Sequence, residues 1–203
     1  KRLKYVGQTQ NGISAGAEYF GTGFPFVSYG DVYKNAILPN EVKGLANSTR
    51  KDQENYSVLK GDVFFTRTSE TIDEIGIASV CLNNIENAVY AGFLIRFRPM
   101  NDILYDGFSK YFFRSEICRT FFIKEMNIVT RASLSQSLLK SLLIPLPKLK
   151  EQKEISDYLD LKTNKIDSII SKTQKEIELM KEYKTALISE VVTGKIDVRE
   201  EIL

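Results

Sequence analysis

The stretch LLIPLPKLKEQKEI, residues 142–155, marks a change in the character of the chain. Pro145 and Pro147 have no N–H to donate to a neighbouring strand, so LLIPLP is predicted to be a short edge strand. After Pro147, neither proline nor glycine occurs until Gly194. The intervening residues are compatible with a helix throughout. The sequence therefore predicts a compact domain at 1–148, followed by a segment of 149–203 that holds one long helix.

Apolar residues in this second segment recur at alternating steps of four and three, which is the pattern of a coiled-coil seam. The helix is predicted over about 151–193, with Gly194 as its C′ stop and KIDV beyond it as a short strand. At 1.5 Å per residue it is about 60 Å long, too long to pack along a domain of about 150 residues. Helix pairing is predicted through a seam with two polar interruptions: Ile166, Ile170, Thr173, Ile177, Met180, Lys184, Leu187 and Val191.

Residues 1–148 combine short strands, helices and glycine-containing turns, which predicts an α+β fold. Three β-favouring stretches are predicted strands: VFF within VLKGDVFFTRT, IGIASVCL and AGFLIRFRP. In the last of them, Phe93, Ile95 and Phe97 alternate with Leu94, Arg96 and Arg98, so the two sets are expected on opposite faces. GFSKYFFRSEICRTFFIKE is predicted to be one helix, and SLSQSLLKSLL a short one, capped by Ser133 with Gln136 as capping-box partner.

Charge is distributed unevenly along the chain. Residues 1–150 hold 19 basic and 14 acidic residues, a net charge of +5, whereas residues 151–203 hold 9 and 12, a net charge of −3. This asymmetry fits a domain that faces nucleic acid, and it also fits two ordinary solvated surfaces. The chain has no histidine and two cysteines, which argues against a zinc site, a disulfide scaffold and a histidine-based triad, and suits a reducing cytoplasm.

Signals for catalysis are weak. The glycines match neither a phosphate-binding loop nor a dinucleotide fingerprint. Glu41 with Lys43, and Asp157 with Asp160 and Lys162, are the groups that a metal-dependent nuclease could use, but such spacings are common by accident. The chain is therefore expected to perform no chemistry of its own, to need no cofactor and to bind no metal.

Signals for DNA binding are stronger. A predicted strand end emerges into Arg67, Thr68 and Ser69, and such a loop offers hydroxyls for phosphates and a guanidinium that matches guanine. Arg131, Ser133 and Ser135 repeat this composition at a predicted helix start, where free N–H groups favour anions. A helix cap is an equally good interpretation of Ser133. Lys110 and Arg114 lie among aromatic residues on the predicted helix and are expected to contact phosphates.

Four motifs resemble one half of the specificity subunit of Type I restriction–modification enzymes. They are GFPFVSYGDVY near the start, LKGDVFFTRTSE followed by IGIASV, IPLPKLKEQKEISDYLD at the junction, and LISEVVTGKIDVRE at the end. Together they span nearly the whole chain. On this resemblance, Ser28, Tyr29 and Lys34, in and just after the first motif, are expected to join the DNA-contacting residues.

The resemblance implies a target-recognition domain that reads half of a bipartite DNA site, followed by a long helix. Two such units alternate in full-length members, with their helices paired antiparallel, and modification subunits that bind S-adenosylmethionine dock on this scaffold with the restriction subunit. The present chain has one unit, which leaves two alternatives: a natural half-subunit or a fragment of a two-unit chain. If it is a half-subunit, it is expected to act as a homodimer on a palindromic site. Two alternatives stay open: a coiled-coil interaction protein without a DNA role, and the metal-dependent nuclease.

Overall fold

The computed structural model describes residues 1–69, 71–125 and 132–199, without the side chains of 72 and 132. The chain divides into two compact units, Lys1–Ser156 and Asp157–Leu203. The fold is α+β with a long C-terminal helix, as predicted. Nowhere in these ranges does a helix have the length and apolar character needed to cross a membrane.

The strands lie in the first unit. They are β1 (Gly7–Asn11), β2 (Phe20–Val27), β3 (Gly44–Ala46), β4 (Val63–Thr66), β5 (Thr68–Ser69), β6 (Ala78–Val80), β7 (Val89–Tyr90), β8 (Leu94–Pro99) and β9 (Ala132–Ser133). The α-helices are α1 (Tyr29–Lys34), α2 (Arg50–Asn55), α3 (Asp106–Phe112), α4 (Glu116–Glu125), α5 (Gln136–Ser141) and α6 (Leu149–Val192). Short 3₁₀ turns lie at Leu3–Tyr5, Ala17–Tyr19, Ile72–Glu74 and Asn101–Ile103.

A four-stranded antiparallel sheet, ordered β1-β8-β4-β6, forms the centre of the first unit. β4 is buried along its whole length because both faces of the sheet are covered. Val63 and Phe65 point into one apolar cluster, which also contains Phe97, and Phe64 points into the second. The three strands predicted from apolar alternation are confirmed as β4, β6 and β8. A smaller sheet, β3-β2-β7, contributes to the second cluster.

The predicted helix over 107–125 is wrong in one respect: it is two helices, α3 and α4, separated by the turn Phe113–Ser115. Phe112 and Phe122 both enter the first apolar cluster, and so does Phe113, which is 1% exposed within the turn itself. The turn therefore lets aromatic rings from two helices converge on the same core.

The predicted cap of α5 is also wrong. Ser135 is the N-cap, and its hydroxyl accepts a hydrogen bond from the Leu138 N–H at 3.1 Å. Ser133 lies instead in β9, where it pairs with Thr68 of β5. Gln136 makes no capping box, because its side-chain amide contacts β1: its oxygen accepts from Thr9 Oγ1 at 2.8 Å. The local spacing of residues suggested Ser133 as the cap, but Ser133 pairs with the distant strand β5 instead.

The two predicted terminal strands do not form in the described residues. LLIPLP makes a single bridge, Arg2 with Leu143, flanked by hydrogen bonds from the Leu3 N–H to the Leu142 carbonyl and from the Ile144 N–H to the Lys1 carbonyl, both 2.8 Å. After α6, KIDV has bent and irregular backbone. Gly194 (φ +73°) does end the helix as predicted, with backbone bonds from 194 to 191 and from 195 to 190 that close a Schellman motif.

Gln152 ties the first turns of α6 to the rest of the first unit. Its side chain is fully buried, and its Oε1 accepts from the Tyr105 N–H at 2.8 Å. Its Nε2 donates to the carbonyls of Ile103 at 3.0 Å and Pro147 at 2.9 Å. One turn later, the helix passes so close to α3 that a Cβ on Gly107 would lie 2.5 Å from Ser156 Oγ. The proline pair therefore leads the chain into a helix whose first turns are packed within the first unit.

Gln152→Ala is expected to lower the free energy of unfolding of the first unit by about 2–4 kcal/mol, because it leaves an N–H and two carbonyls buried without partners. Urea unfolding followed by tyrosine fluorescence measures this. Lys153→Ala, one position on and exposed, is the control and should change stability little. Equal stability of the two variants would show that the Gln152 hydrogen bonds contribute nothing net.

Candidate nucleic-acid interface

Segments from distant parts of the chain meet where β4 ends and β8 begins. We call this place the Arg67 edge, and it consists of residues 11–15, 67–69, 91–93 and 133–136. Backbone bonds hold these segments together. The Gly92 N–H donates to the Ile13 carbonyl at 2.7 Å, and the Leu134 N–H donates to the Arg67 carbonyl at 2.7 Å. Gln136 Nε2 donates to Asn11 Oδ1 at 3.1 Å. Residues up to 125 positions apart are therefore neighbours here.

Arg67 is held in place at this edge but keeps donors to spare. Its N–H donates to the Phe93 carbonyl at 2.9 Å, and its Nη1 donates to the Gly92 carbonyl at 3.3 Å. The residue is half-buried. A guanidinium carries five N–H donors, so one bond to a carbonyl orients the group and leaves others for a ligand. An arginine restrained in this way suits the bidentate recognition of a base edge or a phosphate.

Thr68 and Ser69 form β5, which pairs antiparallel with β9 at Ser133 and Ala132. The structure thus brings together the two loops that the sequence singled out separately. The Ser69 hydroxyl donates to the Glu74 carboxylate, and the Glu74 carbonyl accepts from Thr66 Oγ1 at 2.6 Å. Ser133 and Ser135 are exposed. The edge therefore presents several hydroxyls beside one arginine on a backbone that is fixed by pairing.

Ser28 and Tyr29 reach the same region from the start of α1. Ser28 is the N-cap in a capping box with Asp31, and its Oγ donates to the Asp31 carboxylate at 2.7 Å. The Tyr29 hydroxyl donates to the Glu74 carbonyl at 3.3 Å, and burial raises its pKa. Both residues line a cavity of about 350 Å³, whose other walls include Phe20, Phe26, Gly92 and Phe93.

Lys34 and Arg114 lie elsewhere. Lys34 is exposed at the last turn of α1. Arg114 lies in the turn between α3 and α4, where its Nε donates to the Ala78 carbonyl at 2.7 Å and its Nη2 to the Tyr33 carbonyl at 3.4 Å. Burial lowers the pKa of this guanidinium. Arg114 thus joins α1, β6 and the turn, which is a structural role that its position in the sequence did not indicate.

The last two predicted contacts are not brought to the Arg67 edge by any described contact. Lys110 lies in α3, with its ammonium 4.5 Å from the ring centre of Tyr111. Arg114 was predicted on the same helix as Lys110, but α3 ends at Phe112, before Arg114. Arg131 lies outside the described residues.

Phe93 is the residue at this edge that the sequence placed wrongly. It was expected to lie on one face of the strand with Ile95 and Phe97, but β8 begins only at Leu94, and the Phe93 side chain is 61% exposed. Its carbonyl accepts from the Arg67 N–H, which continues the β4–β8 register by one pair, so the Phe93 backbone is held although its side chain is exposed. Gly92, immediately before it, was the one signal in the sequence for an irregular strand start.

Possible metal ligands do not cluster in the part of the chain that the structure describes. No three His, Cys, Asp or Glu side chains are grouped there in a way that could hold a metal ion. The polar groups at the Arg67 edge are hydroxyls, amides and a guanidinium. Such groups bind phosphates and base edges by hydrogen bonding.

Comparisons with known proteins concern the family and the fold. A family model described as Type I restriction modification DNA specificity domain matches residues 2–179. The chain is 23% identical over 192 residues to a putative type I restriction enzyme MjaX specificity subunit of Methanocaldococcus jannaschii, covering 91% of this chain and 42% of that protein.

Solved structures show the same fold. A chain from a structure of type I R-M system assembly matches with a TM-score of 0.73 at 19% identity, over 93% of this chain and 44% of that one. The HsdS subunit from Thermoanaerobacter tengcongensis matches with a TM-score of 0.60 at 19% identity, over 82% and 37%. The present chain thus spans less than half the length of each of these relatives.

Proposed function

The chain belongs to the family of Type I restriction modification DNA specificity domains, and we propose that it is the DNA-recognition subunit of such a system, reading one half of a bipartite site. The observation that carries this proposal is the Arg67 edge. It gathers Arg67, Thr68, Ser69, Ser133 and Ser135 on a paired backbone within a chain whose family match covers residues 2–179.

The two ends of the central sheet are suited to different roles, one to the helix junction and the other to DNA contact. β4 runs from Asp62, near the base of α6, to the Arg67 edge. At the first end, Lys60 Nζ lies 3.7 Å from Asp106 Oδ2 and Gln152 holds the helix start. At the other end lie the groups able to contact DNA. The first unit therefore presents its proposed reading surface at one end of the sheet, and residues 149–156 of α6, which belong to this unit, lie at the opposite end.

The long helix is the proposed scaffold. Its seam residues are exposed in the described chain, for example Ile170 at 60% and Met180 at 69%. Exposed apolar stripes of this length favour association with other helices. We infer that α6 pairs with the helix of a second specificity unit and that the modification subunit, which holds S-adenosylmethionine, and the restriction subunit assemble on that pair. The chain itself carries out no chemical step in this scheme, which operates in the cytoplasm.

The partner of α6 is proposed to be a second copy of this chain. An antiparallel pair of α6 helices creates a two-fold axis and places one recognition unit in inverted orientation at each end. The DNA target is then a palindrome with a spacer set by helix length. Thr173 and Lys184 on the seam favour one register, as polar seam residues do.

Binding to duplex DNA should weaken steeply as salt increases. If about 4 phosphates are neutralised per half-site, the logarithm of the association constant falls with the logarithm of the salt concentration at a slope near −3.6. Fluorescence anisotropy with a labelled duplex, repeated at several salt concentrations, measures this slope. A flat response, or no binding at low salt, would instead support the alternative of an interaction protein without a DNA role.

Arg67→Ala should reduce discrimination between specific and random duplexes by about 1–3 kcal/mol, because it removes a restrained guanidinium able to bind a base edge in two places. Lys110→Ala is the comparison and should weaken binding to both duplexes alike, since an ammonium on α3 is expected to contact only phosphates. Competition titrations with the two duplexes give both quantities. Equal losses on specific and random DNA for Arg67→Ala would contradict its assignment as a base-reading residue.

Replacing Ile170 and Ile177 together by lysine should convert a self-associated chain into a folded monomer. Two lysines on the seam would be buried within the pair, and burying their charges is costly. Light scattering measures the mass. The monomer should still bind half-site DNA weakly but should no longer support methylation when the modification subunit is added.

The matched control carries lysine at Ser171 and Gln174, which lie on the same helix outside the seam. It gains the same charge and should remain associated. A wild-type chain that stays monomeric at high concentration would rule out the homodimer and leave a different specificity unit or the modification subunit as the partner of α6.

A further inference from the structure

The cavity beside the Arg67 edge has aromatic walls from three separate parts of the first unit. Phe20 and Phe26 come from β2, Tyr29 from α1, and Phe93 from the start of β8. The Phe20 and Phe26 rings lie 4.9 Å apart, centre to centre. The cavity has a volume of about 350 Å³. It opens to solvent at Phe93, Ser14 and Ala15, which are exposed.

Apart from the Ser14 hydroxyl at the exposed mouth, the side-chain polar groups in its wall are already engaged. Ser28 Oγ bonds the Asp31 carboxylate and accepts from the Asp31 N–H at 3.3 Å, and the Tyr29 hydroxyl bonds the Glu74 carbonyl. The Gly92 carbonyl accepts from Arg67. A ligand that buried several hydrogen-bonding groups in this cavity would leave most of them without partners, at a substantial cost for each. The walls therefore select an apolar surface.

The cavity is continuous with the proposed DNA-reading surface. Gly92 and Phe93 line it, and these same two residues supply the carbonyls that hold the backbone and guanidinium of Arg67. A base pair read by Arg67 therefore lies beside Phe93. In the major groove, the apolar feature that base pairs present is the C5-methyl group of thymine, and aromatic side chains are among those that contact it.

We propose that Phe93 and the aromatic cavity behind it read a thymine next to the base contacted by Arg67, by taking up its C5-methyl edge while the thymine remains paired. This inference rests on the proposed function, since it requires that the Arg67 edge faces the major groove. It adds a specificity determinant that uses no hydrogen bond.

An extruded base is the competing occupant. Enzymes that flip a base into a pocket read its Watson–Crick edge by hydrogen bonds. Here the hydroxyls of Ser28 and Tyr29 face partners within the protein. A flipped base would stack well on the rings but would bury its polar edge unsatisfied. A paired thymine keeps those hydrogen bonds in the duplex and offers only its methyl edge.

The test is a double-substitution cycle on the full chain. Duplexes bound by the wild type are first selected from a random library, which defines the half-site. Each thymine in it is then replaced in turn by deoxyuridine, which lacks only the methyl group. At one position this change should weaken wild-type binding about fourfold, the effect of removing one buried methyl group. Phe93→Ala should weaken binding to the thymine duplex and abolish the difference between thymine and deoxyuridine.

Phe24→Ala is the matched control. Phe24 is also an exposed phenylalanine, 42% exposed on β2, and it does not line the cavity. This variant should keep the fourfold difference. Phe93→Leu, which retains an apolar side chain, should keep part of it.

The outcomes separate this inference from the proposed function. Failure to enrich any duplex over random DNA overturns both. An enriched half-site without a fixed thymine, or one in which deoxyuridine binds as well as thymine at every position, overturns the inference and leaves the proposed function standing. The same holds if the difference survives in Phe93→Ala. Base extrusion is tested with a 2-aminopurine probe beside the Arg67-dependent base. If its fluorescence rises on binding to the wild type but not to Phe93→Ala, base extrusion replaces the methyl-reading inference.

Discussion

The buried amide of Gln152 is the interaction on which the arrangement of the first unit and the start of its helix depends. Both functional atoms of the side chain are used, and the partners belong to the loop before α3 and to the second proline of the junction. A buried amide is stabilising only when all of its groups find partners, so the geometry around it is closely restricted. The first turn of α6, the loop before α3 and the path of the proline segment are held together by one side chain.

A second buried polar contact reinforces the same end of the sheet. Asp62 is fully buried, and its carboxylate accepts two bonds from Arg98, from Nε and Nη2, each at 2.6 Å. It also accepts from the Leu59 N–H at 2.8 Å, which closes the turn before β4. Buried pairs of this kind are costly to break from one side, because the remaining charge is left in the interior. The end of the sheet near the helix is thus rigid and charged inside, whereas the Arg67 edge exposes its polar groups.

Much of this architecture follows from local sequence. β4, β8 and α6 are encoded by apolar alternation or by a long run without proline and glycine, and Gly194 ends the helix because a Schellman motif needs a positive φ. Non-local pairing accounts for what the sequence did not predict. Ser133 could not be assigned to a strand without knowing that Thr68 lies opposite it.

The same holds for the turn between α3 and α4 and for Phe93. The turn depends on the side chains that fill the core with Phe113. The position of Phe93 depends on Arg67, whose N–H donates to the Phe93 carbonyl. The candidate site was therefore predictable by composition, since hydroxyls beside arginines stood out, but not by geometry. The sequence could not show that two loops 65 residues apart form one surface, nor that Arg114 is occupied by carbonyls of α1 and β6.

The way in which β5 and β9 are joined has a consequence for how such a protein can change over generations. The pair consists of two residues on each side and is held by backbone groups, with the Leu134 N–H to Arg67 carbonyl bond continuing it. Hydrogen bonds between main chains do not depend on side-chain identity. Mutations at Thr68, Ser69 or Ser133 can therefore alter what the surface presents while the scaffold beneath keeps its bonds and its core. Such a design separates the heritable variation of a reading surface from the stability of the fold that carries it.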